Sequence, residues 1–429
     1  MSLLKRFFCH LSALGFIALG LGLQAADWPQ YLGPGRDAVY PGQALTLAWP
    51  SGGPKVLWRK RDIGAGMSGL VAAKGRVVLF HEVNRYDTIE CLDAKTGKSL
   101  WKNNYASSFV PGYGSGAGPR ATPAIVGGKV YTMGGQGIVV CTDLATGKTL
   151  WKVDAQKSYR ASDGFFGMAC SPLVEGNAVL LNIGGEAGAG IIALDKNNGK
   201  LLWKTLDDEA SYSSPVMATL HGKRRAVFFT RTGMAVVNPA NGSIDFQNRW
   251  RARIHASVNA AAPLVVGERI FITSSYNTGA LVVQAATDGY KTVWSNDTSL
   301  SSQYASVTHG DGFIYGTHGR ADAPPTPALR CVELATGKVR WSEDDFGDCL
   351  MLRCGGRLLA LMESGELVLG QASPAGWREI SRAQVVGSGA RSQPALANGR
   401  LYVRGRNQLV CLDVPGTKRL AKRGAGLRQ

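Results

Sequence analysis

The chain has 429 residues, 45% of them hydrophobic and 18% charged, with a formal net charge of +17. That hydrophobic share is normal for a packed core and excludes a wholly disordered chain, while the length alone suggests two or three domains. Fifty-five glycines, about 13% of the chain against a usual ~7%, ask for many tight turns.

Lys5 and Arg6 precede an apolar stretch from Leu11 to Leu23, which ends at the small residues Ala25 and Ala26. A basic start, a short apolar core and a small-residue cleavage site predict a secretory signal peptide over residues 1–25. The alternative is an uncleaved anchor, because Phe7 to Ala26 carries no formal charge and is just long enough to span a bilayer. No other segment has this character, so no transmembrane segment is expected in the mature chain. Residues 26–55 form an N-terminal extension that opens with Asp27-Trp-Pro-Gln-Tyr-Leu-Gly-Pro-Gly-Arg-Asp37.

From Val56 onward one phrase recurs. It is clearest as Asp93-Ala-Lys-Thr-Gly-Lys-Ser-Leu-Trp101, and again at Asp143 to Trp151, Asp195 to Trp203 and Glu333 to Trp341. An acidic residue, a glycine four positions on and a tryptophan four beyond that predict a strand end, a tight turn and the next strand. Weaker copies end on Phe246, Trp294 and Ile380, giving a mean step of about 46 residues from Trp58. Each unit reads as four short strands, opened by a residue before proline such as Ser171, Ser214, Ala262 or Gln393. Gly134-Gly-Gln-Gly137 and Gly184-Gly-Glu-Ala-Gly188 read as hairpin turns, since no helix follows either. The amino end holds a tryptophan strand at Trp58 without its acidic partner, and the carboxyl end holds an acidic strand at Asp413 without its tryptophan. Complementary half-repeats predict a closed ring in which these two strands pair, leaving short, protected edges. The fold expected over residues 56–416 is all-β: an eight-bladed β-propeller of four-stranded antiparallel blades, closed by its N- and C-terminal strands.

Cys91, Cys141, Cys331 and Cys411 occupy one slot in four different blades, too far apart to bridge. With Cys9 leaving in the signal segment, no structural disulfide is expected. Residues 417–429 carry Lys418, Arg419, Lys422, Arg423 and Arg428 with no acidic residue, a basic tail expected to be solvated and disordered. Such a tail also suits nucleic acid or acidic lipid headgroups, but an exported protein rarely meets nucleic acid, and no nucleic-acid partner is expected.

The Asp-Ala-Lys-Thr-Gly-Lys-x-Leu-Trp phrase resembles the repeat of the pyrroloquinoline quinone (PQQ) β-propellers over nearly all of the mature chain. The segment from Asp27 to Asp37 resembles the opening of exported bacterial PQQ-like propellers, in which the Leu32 position is more usually arginine. The resemblance implies that Trp58, Trp101, Trp151, Trp203, Trp294 and Trp341 lie on outer strands and dock against neighbouring blades. It also implies two functional branches. Quinoprotein alcohol dehydrogenases hold PQQ and calcium in the funnel and carry a vicinal cysteine pair, which this chain lacks. BamB-type outer-membrane assembly factors are eight-bladed scaffolds without a cofactor, and this chain's length matches them better. They are lipoproteins, however, and Cys9 is not placed for lipidation.

The connections from each outer strand to the next inner strand are expected to line the funnel mouth. Their carboxylates, among them Asp154, Asp163, Asp207, Asp208, Glu209 and Asp297, show no ligand spacing. His255 and His309 stand alone and read as hydrogen-bonded histidines rather than metal ligands. The same loops are rich in arginine, aromatic and amide groups: Arg120, Tyr159, Arg160, Phe165, Tyr212, Arg253, His255, Asn259, Tyr304, His309, Arg391 and Gln393. These suit a planar anionic ligand or a protein-binding face, and equally a packed plug in the tapering channel. The function expected is an exported, monomeric, non-catalytic binding or scaffold module of the periplasm or cell envelope, with outer-membrane protein assembly, by analogy with BamB, as its most concrete form. It needs no cofactor and offers its funnel face to a protein partner or an anionic ligand. The alternative is an oxidoreductase binding PQQ and calcium in the funnel.

Overall fold

The computed structural model describes residues 26–42, 48–50, 52–112, 116–162 and 164–414, so the expected signal peptide and basic tail lie outside it. Eight antiparallel sheets form an eight-bladed β-propeller. Seven blades are sequential, from Val71–Ala73 through Ser99–Ala106 in the first to Cys349–Cys354 through Gly376–Gln384 in the seventh. The eighth combines Ala395–Ala397, Arg400–Arg404 and Gln408–Asp413 with Val56–Arg61 from the other end of the chain. There Trp58 lies opposite Cys411 and Val56 opposite Leu412, so the half-repeats close the ring. Second and third strands are buried along much of their length, as in Ile138–Asp143, because a neighbouring blade covers each face. Outer strands such as Thr149–Asp154 alternate towards solvent. The only α-helix among the described residues is Ala155–Tyr159, capped by Asp154.

The repeat phrase is an interlock between blades. Asp93 Oδ1 accepts from the Lys95 and Thr96 amides and the Thr96 hydroxyl, and Gly97 turns with φ of 73°. The Trp58 ring of the preceding blade lies on Gly97, where a Cβ would come within 2.6 Å, and its indole N–H donates to the Ala94 carbonyl at 3.2 Å. The same pair recurs with Trp101 on Gly147 and Leu144, Trp151 on Gly199 and Lys196, and Trp294 on Gly337 and Leu334. In four blades the residue opposite the tryptophan is a cysteine, at positions 91, 141, 331 and 411. All seven described cysteines are buried and unbridged. One equivalence needs correction. In the seventh blade Ser381, opposite Leu369, holds the tryptophan place, and Ile380 is the bulge residue beside it.

A hydroxyl belt joins the blades around the axis. The Gly69 amide donates to Thr122, the Thr122 amide to Ser171, the Ser171 amide to Ser214 and the Ala262 amide to Ser306. These hydroxyl and amide residues precede the inner strands, which explains the small polar residues found before proline.

The extension at residues 26–40 is part of this architecture. Trp28 pairs with Ala72 in both directions, and the Pro29 carbonyl accepts from Ile125. Val39–Tyr40 adds a fifth, parallel strand to the inner edge of the seventh blade. Between these anchors the chain crosses the channel, and Arg36, 2% exposed, donates to the carbonyls of Ser171, Pro172 and Pro215. The channel is filled by this segment and not by the loop residues considered above.

Candidate functional site

The plug forms the floor of a funnel cavity of about 340 Å³. Tyr31 lies at the bottom, held by Ser306 at 3.0 Å. Phe166, Tyr212, Tyr276 and Tyr304 supply aromatic walls, with Arg120, Arg391, Gln303 and Gln393 among them. These residues come from different blades, because the outer-to-inner connections and the second-to-third-strand turns converge at one end of a propeller.

Of the residues singled out in the sequence, Arg120, Tyr212, Tyr304, Arg391 and Gln393 line the cavity. Arg120 sits over the Phe109 ring and donates to the carbonyls of Gly116 and Gly118, and burial lowers its pKa to about 10. The Tyr212 hydroxyl accepts the Phe165 amide, and its ring meets Phe166 edge-on. Tyr304 stands beside half-buried Asp348, whose carboxyl is pushed up by desolvation, and below Arg391, which is paired with Glu363 at 2.7 Å. Gln393 belongs partly to the frame, donating to the Met351 carbonyl.

The others sit elsewhere. Tyr159 and Arg160 end the short helix outside the cavity, and Arg160 pairs with Glu186. Phe165 and His255 meet edge-on, with His255 exposed beside exposed Arg253. Asn259 is buried and donates to the carbonyls of Thr230, Arg231 and Trp250, a structural brace with no face to a ligand. His309 is on an inner strand and turns to Asp37 of the plug at 3.4 Å, away from the cavity lining. Sequence reasoning missed Tyr31, Tyr276 and Asp322. The one usable signal was the segment from Asp27 to Asp37, whose tryptophan and arginine anchor the plug that carries Tyr31.

Calcium takes six to eight oxygen ligands, with carboxylates prominent. Asp322 is the only carboxylate among the described lining residues, and it is already paired with Arg320 at 2.9 Å. No cluster of three His, Cys, Asp or Glu side chains is placed to hold a metal among the described residues. This donor set does not fit a calcium-bound quinone.

A family model described as outer membrane protein assembly factor BamB matches residues 85–343, more than half of the chain. The chain belongs to this family. Its fold is similar to that of BamB from Moraxella catarrhalis, with a TM-score of 0.60 and 15% identity over 84% of this chain and 100% of that one. It is also similar to quinohemoprotein alcohol dehydrogenase from Comamonas testosteroni, with a TM-score of 0.64 and 13% identity over 91% and 81%. The computationally designed Ika8 protein gives 0.59 and 13% over 87% and 100%. At these identities the likeness is one of fold. No curated protein matches the sequence. No helix among the described residues is long and apolar enough to cross a membrane.

Proposed function

We propose that the protein is an exported, non-catalytic binding module of the cell envelope that receives a protein partner at its funnel face. The observation that carries this reading is the funnel itself. Its floor is sealed by the chain's own plug, and its walls are tyrosines and arginines, the side chains that dominate protein-binding hot spots. Membership of the BamB family supports a protein partner over a small substrate. The lining carboxylate is neutralised by Arg320, so no free base faces the cavity from it. A monomer without a bound cofactor is the working form in this reading.

The test is capture of envelope proteins on the purified mature chain, compared with Arg120→Glu and Tyr212→Ala. Loss of one specific partner from both variants, at unchanged circular dichroism, is the expected result. A saturable absorbance change on adding PQQ with calcium, and a partner profile indifferent to both variants, overturns the proposal in favour of a quinoprotein.

A further inference from the structure

We infer that the turn-side perimeter of blades eight, one, two and three is a docking surface for an anionic lipid membrane. The inference stands on the outside of the ring and does not rest on the funnel reading. In these four consecutive blades an exposed lysine stands just before the outer strand with an exposed leucine two residues on: Lys55-Val56-Leu57, Lys98-Ser99-Leu100, Lys148-Thr149-Leu150 and Lys200-Leu201-Leu202. The four lysines are geometrically equivalent. The carbonyls of Lys55, Lys98, Lys148 and Lys200 accept from the amides of Asp413, Asp93, Asp143 and Asp195 respectively. Each is therefore fixed at the same end of its blade, opposite the funnel. The apolar residues beside them are 36–47% exposed, and Leu57, Leu100 and Leu150 occupy the bulge position, which turns them outward.

A lysine on an edge strand by itself guards against strand-to-strand association. Exposed leucine beside it raises the risk that the lysine lowers, so protection of the edge does not explain the pair. Lysine with adjacent leucine is the composition that binds an anionic bilayer, the cation reaching the headgroups and the apolar group the acyl boundary. The turn carboxylates nearby are engaged within their own turns: Asp93, Asp143 and Asp195 each accept amide hydrogens there. The described chain also leaves the ring at Val414, next to the strand of Lys55, and the following residues carry five cations and no acid. Charge, apolar exposure and the exit of the basic tail coincide on one arc. On a membrane, this arc points the funnel away from the lipid.

Flotation of the purified mature chain with vesicles of phosphatidylcholine, with and without phosphatidylglycerol, tests the inference. Binding is expected only to the anionic vesicles and to fall as salt rises. Replacing Lys98→Glu and Lys148→Glu together is expected to weaken it more than tenfold, since each surface cation contributes about fivefold. Leu100→Ser with Leu150→Ser is expected to remove the binding that persists at raised salt, and deletion of residues 415–429 to weaken but not abolish binding. Failure to bind anionic vesicles overturns the inference, as does binding lost entirely with the tail and unchanged by the arc variants. Self-association blocked by the leucine variants, without vesicle binding, assigns the arc to a second copy of the chain and also overturns it.

Discussion

Asp87 is buried in the first blade with its pKa raised to about 7, by burial first and by Glu82 second, against relief from the Ser107 and Tyr105 hydroxyls. A carboxyl raised in the fold stabilises the protein fully below its unfolded pKa near 3.8, and that contribution is lost as pH rises towards 7. Asp87→Asn is therefore expected to flatten the pH dependence between about 4 and 7. It should raise stability at pH 8 by on the order of 4 kcal/mol, read from urea midpoints. Glu90 has the opposite sign. Burial raises it, but His81, Lys60 and Lys102 outweigh that and hold it at about 2, so its contribution is lost as pH falls below about 4.5. Lys60 belongs to the ring-closing strand of the eighth blade and Glu90 to the first blade, which places this pair across the seam between those two blades. Arg404 crosses the same seam, donating to the carbonyls of Ser68, Phe80 and Gly64. Burial lowers its pKa to about 9. Arg404→Leu leaves these carbonyls without that donor, and a loss of about 2–4 kcal/mol in denaturant unfolding is expected.

At the scale of the element, the turn and the tryptophan work as one unit. Gly147 has φ of 78° and lies under the Trp101 ring, so Gly147→Ala meets both backbone strain and a Cβ contact at 2.6 Å. The expected cost is about 2–4 kcal/mol in thermal or denaturant unfolding. Trp101→Ala removes the ring and its 2.9 Å bond to the Leu144 carbonyl, and about 3–5 kcal/mol is expected. The fourth blade shows how the unit tolerates loss. Phe246 cannot donate a hydrogen bond and stacks instead on Tyr290 at 4.7 Å.

For the whole molecule, closure and plugging are separable. Deleting the chain through Arg61 removes plug and closing strand together and bares the Gln408–Asp413 edge. Concentration-dependent aggregation by light scattering is expected. Deleting only through Tyr40 removes Arg36 and Trp28 but leaves the ring paired. A monomer with a lowered melting temperature is expected on size-exclusion chromatography and calorimetry. Aggregation of both truncations to the same extent would show that the plug is required for closure.

Blade number, strand order and ring closure were legible because the repeat is local: acid, glycine and tryptophan lie within nine residues and interlock with an equivalent turn in the next blade. The residue opposite each tryptophan could also be aligned, except in the seventh blade, where Trp377 stands at a different place from the others and Ser381 takes the position. The cavity was legible only in part. Arg120, Tyr212 and Arg391 could be picked out as polar or aromatic residues on the right loops. Whether a loop side chain faces the axis, braces a neighbour as Asn259 does, or turns to the plug as His309 does depends on contacts between residues far apart in sequence. The segment from Asp27 to Asp37 stood out, but its place as the floor was decided by tertiary structure. Tyr31 and Arg36 carry no periodic signal, and their place is set by carbonyls that the blades bring together only when the ring is closed.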